Sequence, residues 1–487
     1  MKLIFEGHDY RYAVEQSLLA FFPNERPVYD GEDANLARVG LAVEGQTAHA
    51  ATSLTVGGKT AEGTAQADIS AALDDYGRER LKQRAVKLSF FEAARSLTGV
   101  TPAWGALTGI RPAKLAAGML AEGLSEEETD RILRDTYYVS SSRRALCLPC
   151  AKAGLEAKRG LSRDEISLYV GIPFCPTRCA YCSFVSNSVE KSFHLVEPYL
   201  QALLAEVDSA AKMVEELGLR VKSFYMGGGT PTTLTAGQMD RLLGRLQEKF
   251  ALSNAVELTV EAGRPDTITA EKLAVLKAHG VHRISVNPQT MEESVLRAIG
   301  RRHSPGDIEE AMELAAKCGF PHVNMDLIAG LPEDTAEGFR RSLERCLAFG
   351  TDNVTVHTLA LKKGSRILLE GLAIPGPEAV GEMLDYAEPA LREAGYAPYY
   401  LYRQKYMSGS FENIGWTRPG GECLYNIYIM SELCSILSFG AGGSTKMVDP
   451  ARRLIQRRFN PKFPKEYTER PDKPRSNQAD FAAFYAR

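Results

Sequence analysis

The central part of the chain alternates short runs of β-branched and aromatic residues with longer amphipathic helical segments. Between Ser167 and about residue 370 the apolar runs are SLYVGI, VKSFYMG, AVELTVEA, HRISVNP, HVNMDLIAG and NVTVHTLA. A strand period followed by a helix period, repeated in series, predicts parallel strands joined by right-handed crossover helices. Six units are fewer than the eight of a closed barrel. We therefore predict an α/β fold built on an open, six-stranded (βα)6 partial TIM barrel.

Regions of different character flank this series, which itself occupies residues 166–372. Residues 1–165 begin with the strand-like KLIFE, pass through a polar stretch rich in Ala, Gly and Thr, and end in helical segments. This pattern predicts a separate N-terminal α+β domain of unknown role. A Tyr-, Gly- and Arg-rich region over 373–460 predicts a C-terminal α/β extension that covers the substrate. The Pro- and Lys-rich segment 461–487 predicts a weakly ordered tail.

Composition narrows the classes of function. Lys plus Arg is 58 and Asp plus Glu is 61, a net charge of -3, so neither nucleic acid nor an anionic membrane is an expected partner. The chain opens without a signal-peptide pattern, and no apolar stretch is long enough to span a bilayer. Three of the nine cysteines lie within eight positions, which favours metal ligation over a secreted disulfide framework. We therefore expect a cytoplasmic protein.

The candidate metal ligands come directly after the first predicted strand. The segment GIPFCPTRCAYCSF spaces Cys175, Cys179 and Cys182 as Cys-x3-Cys-x2-Cys. Three thiolates can hold three irons of a cubane, and the missing fourth ligand leaves one iron open to an exogenous chelator. Zinc is the alternative, but it prefers four ligands, and the Cys147 and Cys150 pair lies outside this domain without a partner pair. We predict a [4Fe–4S] cluster and interpret Cys147 and Cys150 as structural.

The cysteine motif resembles that of the radical S-adenosylmethionine (SAM) superfamily. The resemblance implies that the amino and carboxylate groups of SAM bind the open iron, and that Tyr181 packs near the adenine. At the end of the second strand, Gly227, Gly228, Gly229 and Thr230 are similar to the superfamily segment that hydrogen-bonds the methionine amino group. Glycine suits this place because no Cβ blocks the approach of the backbone to a ligand.

Further positions at strand ends resemble the SAM contacts of the oxygen-independent coproporphyrinogen III oxidase family. In that family a Glu holds the amino group of SAM, an Arg its carboxylate, a Gln and an Asp its ribose, and an Ile backbone contacts adenine. The matching residues here are Glu261, Arg301, Gln289, Asp326 and Ile328. Arginine is the natural bidentate partner of a carboxylate, and the adjacent Arg302 is the alternative for this role.

The resemblance to this family covers about residues 165–450. LTGIRPAKL and YLYRQKYMSGSFENIGW resemble its HemZ-type branch. The family implies a radical SAM oxidoreductase of heme (porphyrin) biosynthesis, a coproporphyrinogen III dehydrogenase. Two propionates of coproporphyrinogen III would each lose a hydrogen atom, CO2 and one electron, which leaves vinyl groups and gives protoporphyrinogen IX. Phe184 departs from the family, because better-studied members carry a further Cys there, and their Tyr-rich N-terminal segment has no counterpart.

The implied partners are a tetrapyrrole substrate and a small reductant such as flavodoxin or ferredoxin. A substrate with four carboxylates needs cationic anchors beside an apolar surface. Arg403, Lys405 and Arg418 are interleaved with tyrosines and a tryptophan and fit that need, although a Tyr-rich packing layer with exposed charges gives the same pattern. His357, in the sixth strand, either faces the substrate or is a core histidine.

The sequence leaves other functions open. A heme chaperone of the same group shares the cluster motif, and another radical SAM reaction, such as methyl transfer, uses the same cofactors. A zinc-stabilised interaction module explains the cysteines but not the glycine, Gln, Arg and Asp positions at the strand ends. Oligomeric state, electron donor and number of SAM molecules have no signal in the sequence.

Overall fold

The computed structural model describes residues 1–72, 74–182, 187–188, 192–362, 364–404 and 407–486. These residues form two compact units. The first comprises Met1–Leu148 with Arg403–Glu412, and the second comprises Pro149–Tyr402 and the chain from Asn413 onward. The units therefore divide the chain differently from the domains predicted from the sequence, which change at residues 165, 372 and 460.

A four-stranded sheet and five helices build the first unit. The strands, in sheet order, are β1 (Lys2–Glu6), β2 (Leu36–Glu44), β3 (Thr47–Val56) and β4 (Lys59–Asp68). The helices are α1 (Arg11–Phe21), α2 (Asp75–Thr98), α3 (Pro112–Ala121), α4 (Glu126–Asp135) and α5 (Ser141–Arg159), the last of which continues into the second unit.

The sheet of the first unit packs against α2 through small residues. Val86, Phe90 and Ala93 of α2 are fully buried, as a helix face with three- and four-residue spacing requires. A Cβ on Gly63 of β4 would lie 2.3 Å from the Ser89 carbonyl oxygen, so this close approach needs glycine. The sequence predicts β1 and α2, but not β2, β3 and β4. Strands β3 and β4 are rich in Ala and Thr, and Arg38 and Gly40 interrupt the apolar residues of β2, so their strand character depends on packing rather than on hydrophobic contrast.

The second unit is built on an eleven-stranded sheet with the order β13-β14-β12-β11-β10-β9-β8-β5-β15-β16-β17. The strands of this sheet are β5 (Glu165–Ile172), β8 (Arg220–Gly228), β9 (Glu257–Gly263), β10 (Arg283–Val286), β11 (His322–Ala329), β12 (Asn353–Thr358), β13 (Ala397–Tyr402), β14 (Asn413–Thr417), β15 (Ile436–Phe439), β16 (Ser444–Asp449) and β17 (Leu454–Phe459). Two short strands, β6 (Phe174–Cys175) and β7 (Asn187–Ser188), pair separately with each other.

Helices of this unit connect and cover the strands. They are α6 (Val196–Glu216), α7 (Ala236–Phe250), α8 (Ala270–Ala278), α9 (Glu293–Ala298), α10 (Pro305–Cys318), α11 (Ala336–Ala348), α12 (Arg366–Glu370), α13 (Pro377–Glu393), α14 (Leu424–Ser431), α15 (Pro464–Glu469) and α16 (Asp472–Tyr485). Among the described residues, no helix combines the length and the apolarity that crossing a membrane requires.

The six predicted strands are β5 and β8 to β12, and neighbouring members of this series pair in parallel. The predicted α/β fold with a parallel βα series is therefore confirmed. On either side the sheet extends further: β14 pairs antiparallel with β12, and β15 pairs parallel with β5. Parallel pairing places the carboxyl ends of all six strands at one edge, and this edge holds the candidate site.

The C-terminal segment differs from the weakly ordered tail that its composition predicts. It forms α15 and α16, which bury Tyr467 and Phe481. The Tyr467 hydroxyl donates a 2.5 Å hydrogen bond to the buried carboxylate of Glu206 on α6. The segment folds despite its composition because the apolar residues among its prolines and lysines pack against another part of the protein.

Candidate functional site

The glycine-rich turn after β8 fits closely against the chain that leaves β5. The Gly229 amide donates to the Ile172 carbonyl and the Thr230 amide to the Phe174 carbonyl, both at 2.8 Å. A Cβ on Gly229 would lie 2.6 Å from the Phe174 carbonyl oxygen, and Gly228 has a φ of +109°. Only glycine satisfies both conditions without strain. The turn therefore sets the position of the loop that carries the cysteines.

This cysteine loop, residues 175–182, is fastened to the segment that follows α9. The Ala180 amide donates to the Ile299 carbonyl at 2.9 Å, and the Cys182 amide donates to the Cys179 carbonyl at 3.1 Å. Cys179 is buried, whereas Cys175 and Cys182 are partly exposed. The loop thus presents its three thiols from a backbone that is held by strand ends on one side and by the segment after α9 on the other.

Arg301 lies inside the site, next to the cysteine loop. Its Nη1 donates to the Asn287 carbonyl at 2.5 Å and its Nη2 to the Tyr181 hydroxyl at 3.1 Å. Burial opposes its charge, but the neighbouring Tyr181 and Cys179 raise the pKa of Arg301 above its ordinary value. Arg302 is exposed, so the geometry selects Arg301 as the cation available to a ligand of this site.

Gln289 continues the pairing of strands beyond the end of β10. Its amide donates to the Asp326 carbonyl at 2.9 Å, and its carbonyl accepts from the Ile328 amide at 3.0 Å. The residue has a φ of +70°, which is uncommon for a side chain other than glycine. Backbone strain of this kind is found at sites where the side chain must point in a particular direction.

Glu261 lies on β9, beside the glycine turn. Its Oε1 accepts a 2.6 Å hydrogen bond from the Tyr225 hydroxyl. Burial raises the pKa of Glu261 to about 7, and the nearby charge of Asp326 adds to the shift. A carboxyl that titrates near neutral pH can be charged when a cationic group binds beside it.

The pKa of Asp326, on β11, is shifted in the opposite direction. Burial by itself would raise this pKa. Hydrogen bonding and the charge of His357 outweigh burial, together with other hydrogen bonds such as that from Asn324, so the pKa of Asp326 stays below its ordinary value. The Asn324 amide nitrogen donates to Asp326 at 2.7 Å, and His357 Nε2 lies 3.7 Å from Asp326 Oδ2. His357 therefore faces the site side of the sheet and contacts a predicted ligand residue.

The residues at this edge fit the cofactors that the resemblance implies. The Gln289 Oε1, the Asn287 Oδ1 and the Arg301 Nε are buried without a hydrogen-bond partner. Buried polar atoms are normally paired, so three orphaned ones at one edge fit a polar ligand such as SAM. In the described part of the chain, no three His, Cys, Asp or Glu side chains are grouped as ligands of a single metal ion. A cubane instead binds each thiolate at a different iron.

Sequence reasoning missed two residues of this edge. Tyr225 lies two residues before Gly227 on β8 and thus on the same face, a signal that strand alternation gives. It packs in a cluster with Tyr425 and Tyr169, whose ring centroids lie 4.5 and 6.2 Å from its own. Arg264 follows β9 and contacts the cysteine loop, and nothing in its sequence neighbourhood distinguishes it from a surface arginine.

The structure describes two of the three predicted substrate cations, and both already contact other groups of the protein. In the first unit, Arg403 donates to the carbonyls of Leu107 and Ser410 and lies over the Trp104 ring. Arg418 follows β14 at the amino end of β12, the opposite edge of the sheet from Glu261 and Asp326. Lys405 lies outside the described residues. Tertiary contacts with backbone carbonyls and aromatic rings thus engage the two described arginines.

Cys147 and Cys150 are both buried in α5. Burial raises the pKa of the Cys147 thiol to about 12, which opposes thiolate chemistry. Their surroundings agree with a structural interpretation.

Comparisons with known proteins identify the family to which this chain is similar. The family model of the radical SAM superfamily matches residues 169–346. The oxygen-independent coproporphyrinogen-III oxidase-like protein HemZ of Bacillus subtilis is 40% identical over 400 residues, 81% of this chain and 80% of that protein. The heme chaperone HemW of Mycobacterium tuberculosis is 32% identical over 270 residues, 54% of this chain and 65% of that protein. The structure of coproporphyrinogen III oxidase (HemN) from Escherichia coli, a radical SAM enzyme, matches with a TM-score of 0.53 and 25% identity over 66% of this chain and 72% of that one.

Proposed function

Because the chain belongs to the oxygen-independent coproporphyrinogen-III oxidase-like family of the radical SAM superfamily, whose cofactors are a [4Fe–4S] cluster and SAM, we propose that it oxidatively decarboxylates coproporphyrinogen III. Two propionates would become vinyl groups, which gives protoporphyrinogen IX. The observation that carries the proposal is the 40% identity to HemZ over 80% of that protein. When bound, the cluster and SAM supply the one-electron chemistry that removes a hydrogen atom from the substrate.

In this proposal the residues of the chain hold and orient the reactants. Cys175, Cys179 and Cys182 hold the cluster, and the buried charge of Arg301 favours the carboxylate of SAM. Glu261, when deprotonated, accepts a hydrogen bond from the amino group of SAM. The buried and unpartnered Oε1 of Gln289, together with the carboxylate of Asp326, is available to ribose hydroxyls.

Glycines and apolar groups complete the proposed SAM site. Gly227, Gly228, Gly229 and Thr230 form the turn that faces the methionine amino group, and the Thr230 hydroxyl also donates to Cys175 Sγ at 3.5 Å. Tyr181 and Ile328 would contact the adenine.

The tyrosine stack supports a tetrapyrrole as the substrate. Tyr169, Tyr225 and Tyr425 lie within the second unit, and the hydroxyl of Tyr225 contacts Glu261. Stacked rings beside the proposed SAM site offer the flat apolar surface that a porphyrinogen requires. A small one-electron carrier such as flavodoxin or ferredoxin would reduce the cluster.

A second candidate function is that of a heme chaperone. It is favoured by the 32% identity to HemW and by Phe184, which stands where better-studied oxidases carry a further Cys. In a chaperone the same fold would hold heme stoichiometrically instead of converting a porphyrinogen.

An anaerobic assay with coproporphyrinogen III, SAM and a strong reductant separates the two functions. We expect little 5′-deoxyadenosine without porphyrinogen and a clear rise when porphyrinogen is added. CO2 and a vinyl-bearing product should accumulate together with the 5′-deoxyadenosine. An unquenched primary radical would damage the protein, so an enzyme must couple SAM cleavage to its substrate. Tight stoichiometric heme binding, with SAM cleavage that porphyrinogen does not change, would contradict the enzyme and support the chaperone.

Arg301→Met and Arg302→Met form a matched pair that tests the SAM site. Loss of a buried carboxylate partner costs about 2–5 kcal/mol, so the first change should weaken SAM binding by at least about thirtyfold. The second change, at an exposed position, should leave it within about twofold. Equilibrium binding of SAM to the cluster-loaded proteins gives both values. Equal affinity in the two variants would show that another residue holds the carboxylate.

A further inference from the structure

Arg264 makes a buried network immediately after β9. Its side chain is 3% exposed and forms a bidentate pair with Asp266, with Nε–Oδ1 at 2.9 Å and Nη2–Oδ2 at 2.6 Å. The remaining nitrogen, Nη1, donates to Thr177, at 2.7 Å to its hydroxyl and at 3.2 Å to its carbonyl. A planar guanidinium whose three nitrogens are all engaged holds both partners in a fixed orientation.

Thr177 carries this contact to a third segment. Its hydroxyl accepts from Arg264 and donates to the Gly300 carbonyl at 3.0 Å, so both of its hydrogen-bonding capacities are used. Thr177 lies in the spacer between Cys175 and Cys179, and Gly300 directly precedes Arg301. The fully buried ring of His303 lies beside this network, with its Nδ1 3.8 Å from Asp266 Oδ1.

The network therefore connects the cysteine loop with the segment that bears Arg301. In the proposed function, the methionine part of SAM must reach the cluster and Arg301 at the same time. The distance between these two anchors then decides whether one ligand can satisfy both, and errors of about 1 Å are costly in such sites.

We propose that Arg264 is a positioning residue for SAM, which acts by holding Thr177 against Gly300. Arg264 sets the spacing between the cysteine loop and Arg301 without touching SAM itself. The inference rests on the proposed roles of the three cysteines and Arg301. It makes no use of the identity of the tetrapyrrole.

Thr177→Val and Thr177→Ser test this proposal together. Valine keeps the volume of threonine but loses both hydroxyl hydrogen bonds, whereas serine keeps the hydroxyl. We expect iron and sulfide contents equal to those of the unaltered protein in both variants. In Thr177→Val, the dissociation constant for SAM should rise at least about tenfold, and in Thr177→Ser it should change less than about twofold. Arg264→Met should behave as Thr177→Val does, and Arg302→Met serves as a control for loss of an exposed charge.

Affinity is measured with the oxidised cluster and without porphyrinogen, so failure of the decarboxylation assay leaves this test intact. The electron paramagnetic resonance spectrum of the reduced cluster, recorded before and after addition of SAM, is the second measurement. We expect the change caused by SAM to be diminished in Thr177→Val and restored in Thr177→Ser. Unchanged SAM affinity in a fully loaded Thr177→Val protein would overturn the proposal. Loss of the cluster in that variant would also overturn it, because Thr177 would then support the loop itself.

Discussion

At the scale of single residues, the pKa values of two carboxyl groups at the site are shifted in opposite directions. Burial and the charge of Asp326 raise the pKa of Glu261 to about 7, whereas contacts with His357 and Asn324 outweigh burial and lower the pKa of Asp326. When their environments move the pKa values of two carboxyl groups apart, the two groups can have different roles at the same pH. Asp326 is an anion throughout the neutral range, and the charge of Glu261 responds to pH.

SAM binding should therefore strengthen as pH rises through the pKa of Glu261. The deprotonated form accepts hydrogen bonds from the amino group of SAM, and its fraction grows about eightfold between pH 6 and 7.5 for a pKa of about 7. The amino group must also lose a proton to bind iron, and this adds the same pH dependence to every variant. Over this range the dissociation constant should therefore fall about eightfold more in the unaltered protein than in Glu261→Gln, which binds SAM more weakly. Equal pH profiles in the two proteins would show that Glu261 does not hold the amino group.

At the scale of elements, the site is built where strands end. The turn after β8 is hydrogen-bonded to the chain leaving β5, and Gln289 extends β10 by pairing with Asp326 and Ile328 of β11. Each of these segments leaves its strand with backbone geometry that a regular strand does not have, such as the positive φ of Gly228 and Gln289. Backbone amides and carbonyls, not side chains alone, thus fix the positions of the cysteine loop and the ligand residues.

Gly229→Ala should disturb the cysteine loop. The added Cβ would lie 2.6 Å from the Phe174 carbonyl and 2.9 Å from the Ile172 carbonyl, so the turn and the loop must move apart. We expect lower iron and sulfide content after reconstitution and a loss of about 1–3 kcal/mol in the free energy of unfolding. Gly237→Ala in α7 is the control, because its Cβ meets nothing within 4 Å. That change should leave the cluster intact and stabilise the helix by up to about 1 kcal/mol. A normal cluster content in Gly229→Ala would contradict the close packing of this turn.

At the scale of the whole molecule, segments distant in sequence complete the second unit. Glu206 of α6 accepts hydrogen bonds from the Gly440 amide, the Asn460 side chain and the Tyr467 hydroxyl. Burial raises the pKa of this carboxyl to about 7, although these three hydrogen bonds oppose the shift. The turn at Gly440 packs closely against Gly171. A Cβ on Gly440 would lie only 2.6 Å from the Gly171 carbonyl oxygen. The C-terminal helices therefore support the end of the strand from which the cysteine loop begins.

Tyr467→Phe should destabilise the protein more than a similar change at the surface. It removes one donor from the buried Glu206 carboxyl, and leaving a buried polar group less satisfied costs about 1–3 kcal/mol. Tyr386→Phe is the matched control, because the Tyr386 hydroxyl also donates to a glutamate, Glu344, but at the surface. That change should cost less than about 0.5 kcal/mol. Urea unfolding of the two variants without cofactors measures the difference, and equal losses would show that the tail contact adds no stability.

The sequence by itself determined the parallel strand series and several of the residues that come to its carboxyl edge. Periodicity is a local property, and strands of a βα series place their ends together whatever else surrounds them, so β5, β8 to β12, the cysteine loop and Gln289 could be located in advance. Strands β3 and β4 escaped prediction because their many Ala and Thr residues carry little hydrophobic contrast until α2 covers them.

Only the tertiary structure decided between residues that look alike in the sequence. Arg301 is buried at the site and Arg302 beside it is exposed, while Arg403 and Arg418 are engaged by backbone carbonyls and aromatic rings elsewhere. Whether a charge faces a ligand, a carbonyl or water depends on contacts between segments far apart in the chain, such as that between Arg264 and Thr177, which are 87 positions apart. Local pattern carries no information about such contacts, because they form only when the strand ends meet.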